Sequence, residues 1–235
     1  MVREATAKHE AMTKKRDPAK EGDDQNAAPR QRRNAEETRA KILKAARTEF
    51  AQHGFAGARV ERIVAAANTN PRMVYHYFGG KAGLYIEVLE DALGRLRKEE
   101  LKIDLEHLSP LEGLLQLFDF MHQHFEADMQ LVSLLRNENL QKARHMKSSK
   151  RIREMSSPVR DLIRELLCRG EADKSLRAGI DPLQLYVMMV ALNQFHLSNV
   201  YTLSVIFDED LSAPLWRKAR HDAARTMVSS YLTVD

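Results

Sequence analysis

Two short helical patterns joined by a tight turn occupy residues 54–84 and constrain the fold more than any other part of the chain. The first pattern places four apolar residues on one helix face: Val60, Ile63, Val64 and Ala67. Asn68 breaks the pattern, because asparagine tolerates the left-handed backbone that ends helices. Asn70 can cap a second helix through its side chain, and Pro71 suits the first position of that helix. The segment therefore predicts a helix-turn-helix unit.

The second helix of this unit, predicted over residues 71–77, is the expected recognition helix. Val74 and Phe78 lie four residues apart and can face inward, which leaves the other side chains free to meet DNA. Arginine can form two hydrogen bonds to guanine, whereas tyrosine and lysine usually hold phosphates. Tyr75 has two alternatives, since it can contact a phosphate or simply pack. The candidate DNA-binding residues are Arg59, Thr69, Asn70, Arg72, Met73, Tyr75, His76, Tyr77 and Lys81.

The run Tyr-His-Tyr-Phe-Gly-Gly-Lys-Ala-Gly-Leu over residues 75–84 resembles the TetR family of bacterial transcriptional repressors. The family has the same two aromatics, Phe, Lys and Leu in fixed register, and three upstream residues also match: Phe50, Gly54 and Ile63. The chain departs from the family at two places. The family usually has Gly-Val-Ser in the turn, where residues 68–70 are Asn-Thr-Asn. It often has Thr or Ser where this chain has Ala58, so no functional role is carried over to that residue.

Composition places the chain among ordinary globular proteins. Its 235 residues suffice for one large or two small domains, with 43% hydrophobic and 30% charged residues. A net charge of +4 is weak support for nucleic-acid binding. The single cysteine, Cys168, fits a reducing compartment and is expected to be a small buried hydrophobe. We expect a cytoplasmic protein, because no apolar run approaches the roughly 20 residues of a membrane span and the N-terminus lacks a signal sequence.

A change of composition near residue 33 divides the chain. The preceding residues carry almost no large apolar side chains and are expected to be disordered. Their basic end is either an arm that contacts phosphates or a solvated tail. Asn34 with Glu37 predicts a capping box that opens a first helix, which runs to about His53 with Gly54 at its left-handed end. The predicted domains are a tail over 1–33, a DNA-binding domain over 34–82 and a helical domain over 83–235.

The rest of the chain is helical by its periodicity and its start signals. A helix is predicted from Lys81 to about Leu101, with a charged side expected to be solvated: Glu87, Glu90, Asp91, Arg95, Arg97 and Lys98. Further helices are predicted over about 110–127, 129–143, 157–170, 182–205 and 214–232, most of them opened by a capping side chain and proline. The fold class is therefore all-α. The resemblance implies a three-helix helix-turn-helix domain followed by a helical ligand-binding and dimerisation domain.

An apolar run over residues 185–192, followed by polar side chains, is the expected wall of a ligand cavity. Its polar groups have two alternatives, since they can bind a ligand or bond one another and the backbone. The candidate ligand-binding residues are Asn139, Met189, Asn193, Gln194 and His196. The segment over 137–140 and this helix resemble a subgroup that includes repressors of pyrimidine and nicotinate catabolism. That resemblance implies a small heteroaromatic effector.

The resemblance implies a homodimeric, ligand-responsive repressor of a near-palindromic double-stranded DNA operator. No catalytic motif occurs, and neither a cofactor nor a metal is expected, because His122 and His124 are two residues apart and do not share a helix face. Two rivals remain. A helical enzyme lacks a recognisable nucleophile and base. A DNA-binding protein without an effector would keep the same recognition helix but would have a filled core.

Overall fold

The computed structural model describes residues 24–103, 107–155 and 157–233, and within them every regular element is helical. The fold-class prediction of an all-α protein is confirmed. The helices are α1 (Asp24–Gly57), α2 (Val60–Ala66), α3 (Pro71–Phe78), α4 (Lys81–Glu100), α5 (Pro110–Ala127), α6 (Met129–Leu140), α7 (Lys150–Met155), α8 (Ser157–Ala172), α9 (Pro182–Phe207) and α10 (Pro214–Leu232), with a short 3₁₀ turn over Met146–Ser148.

Helix α1 begins ten residues before its predicted start. Asn34 lies inside the helix, where its carbonyl accepts a hydrogen bond from the Thr38 hydroxyl at 2.8 Å, so the predicted capping box at Asn34 is wrong. The expected disorder of residues 24–33 is also wrong, whereas residues 1–23 of the tail lie outside the described residues. The predicted end is confirmed, since Gly54 has a φ of 62° and interrupts the helix.

Three helices, α1 to α3, form the head of the molecule around one apolar core. The predicted stripe of α1 is fully buried at Ile42, Ala46 and Phe50, and α2 and α3 contribute Ile63 and Val74 to the same core. Helix α4 packs against both α1 and α3 and then continues without a break into the rest of the fold. The predicted domain boundary after residue 82 therefore falls inside a continuous helix.

The second half of the chain forms a bundle in which α5 packs against α8, α9 and α10. Its helix starts follow the predicted chemistry: Ser109 and Glu112 form a capping box on α5, and the Asp181 carboxylate accepts from the Gln184 N–H on α9. Helix α6 ends three residues before its predicted end, because Lys142 and Ala143 both adopt left-handed backbone. The short helix α7 was not predicted.

The charged side of α4 is only partly solvated, so that prediction needs correction. Arg97 is 8% exposed, and its guanidinium bonds the Glu100 carboxylate and the Tyr186 hydroxyl of α9. Burial raises the pKa of Glu100. Glu87 bonds Arg39 of α1 at 2.6 Å. A helix of this length crosses the interior, so polar residues that lie outside its apolar stripe still meet other helices.

Cys168 is exposed on α8, so its expected burial is wrong. Helix α8 turns a buried side of Val159, Ile163, Leu166 and Leu167 toward the bundle and leaves this thiol outside. Within the described parts of the chain, no helix is long and apolar enough to cross a membrane.

The start of α2 is capped by a residue from another helix. Arg59, at the cap position, has no capping side chain, and the neighbouring Ala58 is buried and cannot supply one. Instead, the Glu49 carboxylate of α1 accepts hydrogen bonds from the Arg59 N–H at 2.9 Å and the Arg62 side chain at 2.8 Å. Glu49 therefore caps the start of α2 from a neighbouring helix.

Replacing Glu49 with glutamine is expected to lower the free energy of unfolding by about 1–2 kcal/mol. The bond to Arg62 holds the pKa of the Glu49 carboxyl below its usual range. The contribution of the Glu49 carboxylate to the free energy of unfolding is therefore complete above about pH 5. It is lost as the pH falls through the folded-state pKa of this carboxyl. Urea unfolding at a series of pH values measures both effects. Glu36→Gln, on the exposed side of α1, is the matched control, and an equal loss in both variants would contradict the capping role.

Candidate nucleic-acid interface and ligand core

Helix α3 is held at both ends by local chemistry, and its predicted start is confirmed. The Asn70 side chain accepts a hydrogen bond from the Arg72 N–H at 3.1 Å, and Pro71 occupies the first helical position. Gly79 ends the helix in left-handed conformation with a φ of 71°. The turn before α3 contains Asn68, also left-handed with a φ of 49°. The turn and both ends of α3 are therefore fixed by backbone conformation and by a capping hydrogen bond.

One face of α3 is buried and the opposite face is open. Val74 and Phe78 are 0% and 7% exposed against the head core, as predicted. Arg72, Tyr75 and His76 are all exposed, and their i, i+3, i+4 spacing places them on one common face. Tyr75 is 65% exposed, which favours a phosphate contact over packing in the core. The open face carries a cation, a hydroxyl and an imidazole, the groups that bond bases and phosphates.

The other DNA-binding candidates differ in how much of each side chain is exposed. Met73 and Tyr77 are half-buried and pack against the head core, so only parts of their side chains are accessible. Thr69 is half-buried in the turn, whereas Arg59 is exposed at the start of α2. The side-chain oxygen Oδ1 of Asn70 already accepts the capping hydrogen bond, which leaves the side-chain amide nitrogen for a contact outside the helix.

Lys81 stands at the first position of α4, beside the end of α3. Its ammonium lies 4.8 Å from the centre of the Phe55 ring, a cation–π contact that orders a side chain otherwise free to move. The position at a helix N-terminus adds backbone N–H groups that favour anions. The structure thus brings Lys81 next to the recognition helix in an arrangement suited to a phosphate.

Contacts between α1 and α6 join the head to the bundle. Arg47 of α1 forms an ion pair with Asp128, the residue that caps α6, and Gln130 bonds the Thr48 hydroxyl at 3.1 Å. Asn137 donates its amide hydrogens toward the Phe50 carbonyl at 3.4 Å. Asn137 was not predicted as a functional residue, because its role depends on a long-range contact that no local pattern reveals.

Asn139 and Glu138 lie side by side on α6 in opposite environments. Asn139 is exposed, so the structure does not bring it among the buried polar groups of α9. Glu138 is 1% exposed, and its carboxylate accepts from the backbone N–H groups of His145 at 2.7 Å and Met146 at 2.9 Å. Sequence reasoning missed Glu138, although an acidic residue on the buried side of a helix was a signal available to it.

Three of the ligand candidates on α9 line its buried side. Met189, Asn193 and His196 are 0%, 1% and 4% exposed, while Gln194 is half-buried. Asn193 donates a hydrogen bond to the Phe118 carbonyl of α5 at 3.2 Å, which matches the alternative of a backbone bond. Neither ring nitrogen of His196 has a hydrogen-bond partner in the described part of the chain. Burial lowers the pKa of His196 to about 4, so the ring is neutral at pH 7.

The other side of α9 is apolar and open in a single protomer. Eight large apolar side chains are 39–83% exposed: Leu183, Val187, Met188, Phe195, Tyr201, Val205, Ile206 and Phe207. Helix α10 adds Leu215, Met227 and Tyr231. An apolar surface of this extent on adjacent helices is typical of a protein–protein contact.

Comparison with known proteins matches both halves of this architecture. The family described as bacterial regulatory proteins, tetR family, matches residues 42–88, and the tetracyclin repressor-like C-terminal domain matches residues 110–228. The putative transcriptional regulator SCO4942 from Streptomyces coelicolor superposes with a TM-score of 0.63 at 25% identity, over 83% of this chain and 98% of that one. The ketosteroid transcriptional regulator KstR2 of Mycobacterium tuberculosis has a TM-score of 0.61 at 22% identity, over 84% and 95%, and so shares the fold.

Two bacterial repressors are among the proteins that are similar in sequence. The HTH-type transcriptional repressor SCO4008 of Streptomyces coelicolor is 50% identical over 58 residues, 25% of this chain and 30% of the relative. The HTH-type transcriptional repressor NicS of Pseudomonas putida is 34% identical over 178 residues, 76% of this chain and 84% of the relative. With both halves matched and a repressor similar over most of its length, this chain belongs to the TetR family of DNA-binding transcriptional repressors.

Proposed function

We propose that the protein is a homodimeric, ligand-responsive repressor that reads a near-palindromic operator with two copies of α3. The observation that carries the DNA-binding part is the open face of Arg72, Tyr75 and His76, set on a helix whose other face is buried. A short helix held in this way presents side chains to the major groove without moving its backbone. Lys81 follows α3 at the start of α4, and Arg59 is exposed at the start of α2. Contacts of such cations with phosphates position a recognition helix on the DNA backbone.

The homodimer is supported by the open apolar side of α9 and α10. The α9 residues Val187, Tyr201 and Val205 lie on one face of the helix and are 55%, 83% and 83% exposed in a single protomer. A second copy related by a two-fold axis would cover this surface with the same surface of its own. The same two-fold axis would put both recognition helices on one side of the DNA. Their separation would then match the distance between the two half-sites, which is about 34–36 Å or a multiple of it.

The effector that we propose is a small planar heteroaromatic molecule, such as a nicotinate or pyrimidine catabolite. Its candidate pocket is the buried side of α9, where the His196 ring lacks a hydrogen-bond partner among the described residues. Burial and the nearby charges of Arg220 and His122 lower the pKa of this ring. Trp216 of α10 lies beside it, with ring centres 6.2 Å apart. A few polar groups in an apolar wall suit a compact ring with one or two polar atoms.

Replacing Arg72 with alanine is expected to weaken specific operator binding by about 1–3 kcal/mol and to relax the preference at one base pair. Lys81→Ala should weaken specific and nonspecific duplexes alike and reduce the salt slope by about one, since one fewer phosphate is neutralised. Anisotropy titrations at several salt concentrations measure both. Lys98→Ala, at the exposed far end of α4, is the control. Equal losses on both duplexes in both variants would contradict these separate roles.

Replacing Val205 with glutamate is expected to convert the dimer into monomers, because the open side of α9 would then place charges opposite one another in the interface. Light scattering measures the mass, and nuclease protection measures loss of the two-half-site footprint. Arg160→Glu, on the exposed side of α8, has a larger change of charge and should remain dimeric. A dimeric Val205→Glu protein would contradict the proposed interface.

Titration of operator-bound protein with heteroaromatic acids and pyrimidines is expected to release the DNA for at least one compound. A fall of about 100-fold in operator affinity corresponds to a coupling free energy of about 2.7 kcal/mol. His196→Phe should weaken this response while ligand-free operator binding stays near the wild-type value. Asn199→Ala serves as the control, since that side chain bonds its own helix backbone. Absence of release by every compound would favour the alternative of a DNA-binding protein without an effector.

A further inference from the structure

A block of positive charge joins α6 to α7. Between residues 142 and 153, six of the twelve residues are lysine or arginine, and none is aspartate or glutamate. A stretch this rich in cations is typical of a surface that binds nucleic acid. None of these cations belongs to the open face of α3, so the charge is a feature of the bundle. The six cations are Lys142, Arg144, Lys147, Lys150, Arg151 and Arg153, and all of them are exposed.

The backbone of this segment is held in place, although like charges repel one another. The carboxylate of the buried Glu138 accepts hydrogen bonds from the N–H groups of His145 and Met146 at 2.7 and 2.9 Å. The Ser149 hydroxyl donates to the Glu90 carboxylate of α4 at 2.6 Å. The segment is therefore anchored on two helices, and its cations extend from a fixed base.

Half of these cations have no counter-charge. The last three lie 3.2–3.5 Å from a carboxylate or a backbone carbonyl. The first three are Lys142, Arg144 and Lys147, which we call the basic loop. Their side chains form no hydrogen bond or ion pair with any residue that the structure describes. Cations gathered without a counter-charge create a positive potential that attracts a polyanion.

The basic loop lies one aromatic ring away from Lys81. The His145 ring, which follows Arg144 in the sequence, packs on the Phe55 ring with centres 4.2 Å apart. The centre of the same Phe55 ring lies 4.8 Å from the Lys81 ammonium. A DNA duplex carries one phosphate for about every 1.7 Å of its axis. A duplex with one phosphate bound at Lys81 therefore has further phosphates close to the basic loop.

We propose that Lys142, Arg144 and Lys147 form a second contact with the DNA backbone and bind phosphates next to the one held by Lys81. This inference rests on the proposed DNA-binding function and adds to it a contact made by the bundle. Such cations bind phosphates without reading the sequence, so the loop raises the affinity for every duplex and leaves base preference to α3. An acidic protein surface would match the charge of the loop, but the position beside Lys81 favours DNA.

Contact through the basic loop would bring the bundle itself onto the DNA. Lys81 begins α4 next to the recognition helix, whereas the basic loop follows α6. Both can bind one duplex only while the head and the bundle keep the relative orientation that the contact between Phe55 and His145 sets. Operator affinity then depends on this orientation through phosphate contacts, in addition to its dependence on the spacing of the two recognition helices.

The test uses the full-length protein and a duplex of about 30 base pairs, three helical turns, with the sequence that the wild-type protein selects from random duplexes. The triple variant Lys142→Gln, Arg144→Gln, Lys147→Gln should bind this duplex at least about tenfold more weakly at about 0.1 M salt. The slope of log K against log salt concentration should become shallower by about two to three, since two or three fewer phosphates are neutralised.

A second triple variant removes the same charge from exposed sites far from Lys81: Lys98→Gln, Arg160→Gln, Lys174→Gln. Lys98 lies 17 residues beyond Lys81, about 25 Å along α4, and the other two sites lie on α8 and after its end. Charges farther from the DNA than a Debye length of about 10 Å are largely screened. This control should therefore bind within about twofold of the wild-type protein and keep its salt slope.

Phosphate ethylation interference locates the contact on the duplex. The basic-loop variant should lose interference at about two or three phosphates beside the one that Lys81→Ala loses, and should keep the others. An unchanged pattern, or equal losses of affinity in the two triple variants, would overturn the basic-loop contact and leave the proposed function intact. A wild-type protein that binds no duplex would overturn both. Should the basic-loop variant fail to fold, the three single variants decide, each with a slope shallower by about one.

Discussion

Four rings hold the DNA-binding head on the bundle: Phe50, Phe55, Tyr85 and His145. Phe50 meets Tyr85 with centres 4.8 Å apart, and the Phe55 ring packs on His145 at 4.2 Å. Phe50 and Phe55 lie on either side of the Gly54 kink in α1, Tyr85 lies on α4 and His145 follows α6, so distant parts of the chain converge on one cluster. Edge and tilted ring contacts of this kind fix relative orientation as well as distance. The direction in which α3 points therefore depends on this cluster.

Beneath the rings, the buried Glu138 carboxylate fixes His145 through its backbone N–H and its Nδ1 at 3.1 Å. Phe55, another ring of the cluster, makes a cation–π contact with the Lys81 ammonium. A continuous set of contacts thus leads from α6 to a proposed phosphate-binding lysine. Helix α4 provides a second route, because Lys81 begins it and Arg97, near its other end, bonds Tyr186 of α9. An effector would release DNA only if it bound more tightly to the arrangement in which these contacts have shifted.

The turn and the start of α3 could be predicted from the sequence, because their structure follows from local chemistry. Asn68 and Asn70 impose a backbone angle and a cap that neighbours in the sequence are sufficient to determine. Predictions failed where a contact between residues far apart in the sequence determines the local structure. Arg97 is buried because α9 lies across it, and α2 is capped by Glu49 because α1 runs beside it. Among the ligand candidates, sequence alone left Asn193 undecided between a ligand and the backbone, and a carbonyl on α5 occupies its amide.

Helix α9 has more apolar surface than one bundle can cover, since its sequence is apolar on every side. The protomer buries Leu185, Met189 and Leu197, and leaves Tyr201 and Val205 83% exposed. One helix is therefore shared between the interior and the proposed partner. A ligand beside His196 would act on the same helix that a second copy contacts from outside. Because packed helices shift as rigid bodies rather than deform, a displacement on one side of α9 is transmitted to the other. The spacing of two recognition helices would follow from that displacement.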